Sequence, residues 1–250
     1  MNIKIERVAK LISHYGFCSR KEAEQLIING KVKINDVIHK DFICDLNKVK
    51  QIKVNNKLLV RPNLRVWAFY KPIGYICSNT KQNEKKIIFE LLPRNISRFL
   101  SIGRLDINSE GLLLLTNNPK FANHLENPKN KIQRKYLVKI YGKITKDILE
   151  KTKKKMIING ITYQPLILNK ITEKENNNII EITLYEGKNR EIRRILNSFG
   201  LLVKKLKRLE FGPFRLGSLK QGQISEIKNI NLETKLNDLK IKIENFSRDL

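Results

Sequence analysis

Four consecutive leucines, Leu112 to Leu115, stand between Gly111 and the pair Thr116-Asn117. An apolar run this short, closed by turn residues, predicts a buried strand. Directly before it lies a polar turn, Gly103-Arg104-Leu105-Asp106, followed by Ser109. Asp106 therefore sits at the edge of a core, where an ionised carboxylate is costly unless a cation compensates it. Arg104 is too near in sequence to settle that role, so a second arginine has to be sought farther along. Taken alone, an Arg-x-Asp turn fits a surface pair or a turn cap more readily than a catalytic group.

Charge narrows the choice of partner. The 250 residues contain 50 Lys and Arg against 24 Asp and Glu, a formal net charge of +26, and the excess runs along the whole chain. A polyanionic partner is the economical reading, and nucleic acid suits it better than membrane because no long amphipathic basic helix is present. The abundance of Asn, Ile and Lys points to compositional drift as well, but drift does not by itself prefer lysine to glutamate so heavily. Three cysteines (Cys18, Cys44, Cys77) and three histidines show neither disulfide nor metal spacing. The first residues carry no apolar signal core, and no run approaches the roughly 18 apolar residues of a membrane span. The expectation is a soluble, cytoplasmic protein of one large domain, or of a small and a medium one.

Taken in order, Val8, Leu11, Ile12 and Tyr15 share one helical face that Gly16 ends, and Ser19-Arg-Lys-Glu22 is a capping box for a second helix reaching Asn29-Gly30. Hairpins are predicted around Asn35-Asp36 and Asn55-Asn56. Arg7, Lys10, Arg20, Lys21, Lys31 and Lys33 punctuate this unit, with Arg20 and Lys21 at a helix N-terminus that suits phosphate. Arg61 to Arg65 reads as a linker, Val66 to Tyr70 as a strand, and Lys71-Pro-Ile-Gly74 as a rigid turn. A helix is predicted through Ile87, Ile88, Glu90 and Leu91, a short one near Phe121 to Leu125, and a lysine-rich one over Lys146 to Lys155. Strands are predicted at Lys135 to Tyr141 and Ile179 to Tyr185. Glu186-Gly-Lys-Asn-Arg-Glu-Ile-Arg-Arg194 combines a strand end, a glycine turn and an arginine-rich helix start, an anion-binding geometry in its own right. An inward-pointing Arg193 would supply the cation Asp106 needs; otherwise Arg190, Arg193 and Arg194 simply face RNA. Leu232, Leu236, Leu239, Ile243, Phe246 and Leu250 predict a C-terminal amphipathic helix docked on its own domain.

The segments Glu6-Arg-Val-Ala-Lys10, Gly16-Phe-Cys-Ser-Arg-Lys-Glu-Ala-Glu24 and Ile28-Asn-Gly-Lys-Val-Lys-Ile-Asn35 resemble the αL RNA-binding module of ribosomal protein S-four. Farther on, Gly103-Arg-Leu-Asp-x-x-Ser-x-Gly-Leu-Leu-Leu-Leu-Thr-Asn117, Lys135-Tyr136 and Glu186-Gly-Lys-Asn-Arg-Glu-Ile-Arg193 resemble the ribosomal-RNA pseudouridine synthases, as do Lys71-Pro-Ile-Gly74 and Leu206-Lys-Arg-Leu-Glu-Phe-Gly212. The resemblance runs from Ile5 to about Ile227. It implies an α+β fold: an αL RNA-binding domain at 4–62, a catalytic domain at 66–228 with a mainly antiparallel mixed sheet, and a C-terminal helix over 229–250. It further implies Asp106 as the catalytic nucleophile, Tyr136 as the residue that stacks on the base, and Arg193 as the partner of the carboxylate. Arg104 becomes the residue that holds the vacated space or a phosphate once the uridine is unstacked. Neither cofactor nor metal is implied. The implied partner is ribosomal RNA or a ribosome assembly intermediate, met by a monomer away from membranes. The turn Phe211-Gly-Pro-Phe-Arg-Leu-Gly217 is more similar to members acting on large-subunit RNA. Alternatives are the same activity on small-subunit RNA, or a non-catalytic RNA-binding assembly factor, which has no need of Asp106, Tyr136 and Arg193 together. Two departures stand out: Glu191 where glutamine is common, and Asn118-Pro119 where an Asp-Gly turn is usual.

Overall fold

The computed structural model describes residues 3–60, 62–78, 84–93, 99–172, 174–242 and 246. The chain forms two compact units, one of residues 1–65, 117–121 and 241–250, the other of 66–116 and 122–240.

In the first unit, β1 (Ile5–Arg7) leads into α1 (Val8–His14), and α2 (Arg20–Ile28) follows. Both halves of the capping box are present: Glu22 N donates to Ser19 Oγ at 3.2 Å, and Ser19 N donates to the Glu22 carboxylate at 2.7 Å. Next come β2 (Val32–Ile34), β3 (Val37–Ile38), β4 (Ile43–Asp45), β5 (Ile52–Val54) and β6 (Lys57–Leu58). The hairpin tips Asn35-Asp36 and Asn55-Asn56 all have positive φ, between 50° and 68°. Two consecutive left-handed residues make the tight turn whose twist suits antiparallel strands, and asparagine and aspartate tolerate that region best after glycine. β2 and β5 join the hairpins through Val32↔Val54 and Ile34↔Ile52. β1 pairs with β4, so Arg7 ends a strand rather than opening the helix. Val8, Ile12, Ala23, Ile27, Val32 and Val54, all 0% exposed, fill the core. The segment expected as a linker is tied down, because the Asn117 side chain accepts from Arg65 N and donates to Asn63 O. Arg61 lies outside the described residues.

The second unit is built on a mixed, mainly antiparallel sheet. Its elements are β7 (Val66–Lys71), β8 (Tyr75–Ile76), β9 (Lys86–Ile87), β10 (Leu100–Ile102), β11 (Glu110–Thr116), α3 (Pro119–Glu126), β12 (Arg134–Tyr141), α4 (Lys146–Thr152), β13 (Met156–Ile158), β14 (Ile161–Tyr163), β15 (Ile167–Lys170), β16 (Asn178–Leu184), α5 (Glu191–Ser198), β17 (Leu202–Phe211), β18 (Phe214–Arg215), β19 (Ile224–Glu226) and α6 (Asn229–Asp238). The sheet order is β15-β16-β12-β17-β11-β7-β19, with β10 added to β11 and β18 to β17. β11 is the leucine strand; it pairs antiparallel with β7 and parallel with β17. All four leucines are 0% exposed. Alternate side chains of a strand point to opposite faces, so full burial of consecutive residues requires cover on both. Leu113 and Leu115 pack with Trp67, Phe69, Val138 and Ile195. Gly111, the second residue of the strand, has φ +104°, and a Cβ there would collide with the backbone of Arg208, 2.7 Å from its nitrogen. Only glycine permits that approach of β11 to β17.

Three expected helices differ in extent. Over 86–91 the chain forms the short strand β9 and a single 3-10 turn at Ile88–Leu91. The β-branched Ile87 pairs with Ile76 instead of entering a helix. The lysine-rich helix stops at Thr152. α6 buries Leu232 and Leu236 but ends at Leu239, and Lys240 turns left-handed at φ 57°. Lys235 anchors α6 by donating to Pro213 O at 2.8 Å. Ile243 and Leu250 of the expected helix lie outside the described residues; Phe246 packs edge-on against Phe121.

Candidate active site

Asp106 lies in the loop between β10 and β11, and the loop's shape is imposed from beneath by Lys71. This last residue of β7 is 0% exposed, and its Nζ donates to Pro72 O (2.9 Å), Asp106 O (3.1 Å) and Ser109 O (2.8 Å). Burial depresses the ammonium pKa from 10.5 to about 8, against the pull of the nearby Cys77 and Asp106. The Lys71-Pro-Ile-Gly74 turn adds a further tie, Gly74 N to Ile107 O at 2.9 Å. On the other side, Leu105 N donates to Cys77 Sγ at 3.4 Å, and Gly103 N donates to Glu126 at 2.6 Å. The loop backbone is held at both ends while the Asp106 carboxylate is left facing outward.

It faces a cleft of about 1050 Å³ whose wall includes Arg104, Arg134, Tyr136, Arg190, Arg208 and Phe211. Arg190 Nη1 is 3.7 Å from Asp106 Oδ2. Arg193, expected in that role, makes its hydrogen bonds elsewhere: it donates to Asn108 O (2.7 Å) and Val203 O (3.1 Å), and its buried Nε has no hydrogen-bond partner among the described residues. The reason is local. Arg190 adopts a left-handed conformation (φ 52°) as the N-cap of α5 and turns its side chain toward the carboxylate. Arg193, nearly one helical turn on, meets the loop backbone and β17. Arg193 thus braces the Asp106 loop and adds its charge at longer range, while Arg190 is the nearer cation.

Tyr136 is 8% exposed and lines the cleft from β12. Its register partner on β17 is Arg208, across a β-bulge between Lys135 and Tyr136. Arg208 is 2% exposed; its Nε donates to Leu112 O at 2.7 Å, and its Nη2 has no hydrogen-bond partner among the described residues. Arg134 is buried too, donating to the carbonyls of Ile132, Tyr185 and Leu125. Both guanidiniums lie over the Phe211 ring, at 4.7 Å for Arg134 and 5.1 Å for Arg208. Arg104 is exposed on the cleft wall and pairs with none of the described residues.

The sequence pattern did not single out Lys71, Arg134, Arg190 or Arg208 for these places. A lysine closing an otherwise apolar strand, Val66-Trp-Ala-Phe-Tyr-Lys71, was the one local signal, since a buried ammonium has to find acceptors.

In the first unit, Arg7, Arg20, Lys21 and Lys31 are exposed and Lys33 is half-buried. Lys10 is engaged by Glu6 of β1, four residues before it.

The RNA pseudouridylate synthase family model matches residues 65–198, from just before β7 to the end of α5, and an S4 domain model matches residues 6–41. A Rickettsia prowazekii protein named an uncharacterized RNA pseudouridine synthase is 42% identical over 231 residues, covering 92% of this chain and 97% of its own. The ribosomal large subunit pseudouridine synthase B of Bacillus subtilis is 34% identical over 225 residues, covering 89% of this chain and 92% of its own. A crystal structure of a pseudouridylate synthase superposes with a TM-score of 0.66 at 23% identity, over 92% of this chain and 99% of that one, which speaks to the fold. With more than half of the chain matched and relatives alike along nearly their whole length, the chain belongs to the RNA pseudouridine synthase family and is an RNA-modifying isomerase.

Proposed function

We propose that this enzyme converts uridine to pseudouridine in ribosomal RNA of the large subunit, with Asp106 as its catalytic carboxylate. One observation carries the assignment of Asp106. The other cleft carboxylates are occupied: Glu126 accepts from Gly103 N, Glu186 from Gln164 N and Lys188 Nζ, and Glu191 from Lys188 N. The Asp106 carboxylate makes no hydrogen bond to the described residues, and its one ion pair among them is with Arg190, at 3.7 Å. It is the acid left for a substrate. The large-subunit assignment is supported by relatives in Bacillus subtilis and Buchnera aphidicola named ribosomal large subunit pseudouridine synthase B, each 34% identical.

In the reaction the bond from ribose C1′ to uracil N1 breaks, the uracil turns, and C1′ bonds to C5. The proton on C5 is lost and N1 takes one up, so nothing is oxidised or reduced. Asp106 acts at the ribose, and Arg190 provides its counter-charge. Tyr136 stacks on the uracil and keeps the freed base in the cleft. Arg193 braces the loop, and Arg104 takes a phosphate or the space vacated by the unstacked nucleotide. Residues 4–62 bind RNA backbone through Arg7, Lys10, Arg20, Lys21, Lys31 and Lys33, an affinity that weakens with salt. The enzyme acts as a monomer, and the substrate locates it in the cytoplasm.

The test is pseudouridine mapping of ribosomal RNA from cells with and without the gene, complemented by the wild type or Asp106→Asn. One or a few large-subunit sites should vanish without the gene and return only with the wild type. Loss confined to small-subunit RNA would overturn the substrate assignment; restoration by Asp106→Asn would overturn the role of the carboxylate.

A further inference from the structure

A second cavity, of about 230 Å³, opens along α5, and Arg190 lines both it and the cleft. Arg193, Arg194 and Asn197 stand three and four residues apart on α5 and share a face of it, with Arg190 at the N-cap. The rest of the wall is apolar. Gly200 turns left-handed at φ +73° and Leu201 N donates to Leu196 O at 3.0 Å, which ends the helix and returns the chain as Leu201, Leu202 and Val203.

Three guanidiniums line this space, and no carboxylate does. Arg193 spends both Nη atoms on neutral acceptors, Asn108 O and Val203 O, so its charge is fixed in the wall without being cancelled there. Burial and then the neighbouring Arg190 hold its pKa below the ordinary value, with Asp106 pulling the other way. Arg194 is exposed; its Nη2 donates to another neutral acceptor, Asn189 Oδ1, at 3.3 Å, and it has no ion pair among the described residues. Arg190 has its one ion pair in the cleft, with Asp106. Like charges brought together in this way repel one another, and an anion between them relieves the repulsion.

We propose that this cavity is a subsite for the phosphodiester next to the target uridine, held by Arg194 and Asn197 with Arg190 at the lip shared with the cleft. A guanidinium offers a planar fork of donors that matches two phosphate oxygens at once, and Arg194 has donors to spare. Leu202, 51% exposed, gives the adjoining ribose an apolar surface. β17 continues from the cavity with Lys204 and Lys205, both exposed, so the positive surface extends along the strand. Because Arg190 borders both spaces, a single side chain separates the phosphate from Asp106, which suits neighbouring nucleotides of one strand. Arg104 lines the cleft alone, so it and Arg194 meet different phosphates.

The subsite rests on the function proposed above only for the RNA that tests it. The experiment measures binding and turnover of a large-subunit RNA fragment spanning the uridine found by mapping. It compares wild type, Arg194→Ala and Leu202→Glu, with each phosphodiester flanking that uridine replaced singly by a neutral methylphosphonate. Both side chains are exposed, so both variants should melt with the wild type. Arg194→Ala should weaken binding about tenfold, as expected for one charge-assisted contact, and keep kcat within about threefold. Its slope of log affinity against log salt should become shallower by about 0.7, the share of one phosphate on a single strand. Leu202→Glu, which sets a carboxylate in the cavity, should weaken binding at least as much. One methylphosphonate linkage should cost the wild type the same factor and leave Arg194→Ala nearly unchanged. Wild-type binding by both variants, or equal losses in wild type and Arg194→Ala at every linkage, would overturn the subsite. If mapping finds no large-subunit site, the proposed function fails, and the salt slope on an unmodified RNA stem-loop still decides: a shallower slope in Arg194→Ala keeps the subsite, and an unchanged one removes it.

Discussion

Replacing Lys71 by Met tests whether a buried ammonium places the Asp106 loop. The side chains are of similar length, so the change removes charge and donors while filling the space. Three carbonyls lose a donor, but Asp106 O keeps a second one, Ser109 N at 3.0 Å. The carbonyls of Pro72 and Ser109 are left, at a cost of roughly 1–3 kcal/mol each. Against this, the ammonium no longer has to be desolvated. Its fall from 10.5 to about 8 is equivalent to about 3 kcal/mol recovered. The opposing terms leave a net loss centred on about 1 kcal/mol and no more than about 3, the central value being a fall of about 2–4 °C in Tm for a chain of this size. Catalysis should suffer more, because a loop displaced by about 1 Å costs on the order of a hundredfold. The assay is thermal melting by circular dichroism together with release of tritium from C5-tritiated uridine in a transcript. Wild type should also gain stability relative to Lys71→Met as pH rises from about 8 to 10.5, since the unfolded chain then holds the proton that the native state has given up. Wild-type kcat in a variant melting within a degree of wild type would refute the reasoning.

Two further perturbations address other parts of the molecule. Gly111→Ala sets a methyl group against the Arg208 backbone at positive φ; it should cost about 3 kcal/mol or more, read as a large fall in Tm or in soluble yield, and an unchanged Tm would mean β11 and β17 separate without penalty. Arg20→Ala with Lys21→Ala removes two exposed cations at the start of α2; the slope of log affinity against log salt for an RNA fragment should become shallower by about 1.5, and an unaltered slope would remove that helix start from the RNA interface.

Local rules were enough wherever the cause of a structure lies within a few residues. Ser19 and Glu22 close a capping box because both partners sit in one turn. Asn35-Asp36 and Asn55-Asn56 turn because those side chains tolerate the left-handed region. Leu112 to Leu115 form a buried strand because no arrangement leaves four adjacent leucines half-wet. The Asp106 turn and the arginine-rich start of α5 were likewise visible as motifs, and the resemblance they carry led to the family.

The sequence by itself therefore determined the two kinds of unit, the leucine strand and the motifs that carry Asp106 and the start of α5. Their partners were decided only in three dimensions. Whether Arg190 or Arg193 meets Asp106 depends on the left-handed N-cap of α5 and on where β17 runs, neither of which spacing along the chain reveals. Arg134 reaches Phe211 through the pairing of β12 with β17, strands more than sixty positions apart. Lys71 finds the carbonyls of Asp106 and Ser109 because β7 and β11 are neighbours. Such contacts form at the meeting of distant segments, where burial raises the cost of every unpaired polar group and so selects which cation goes where.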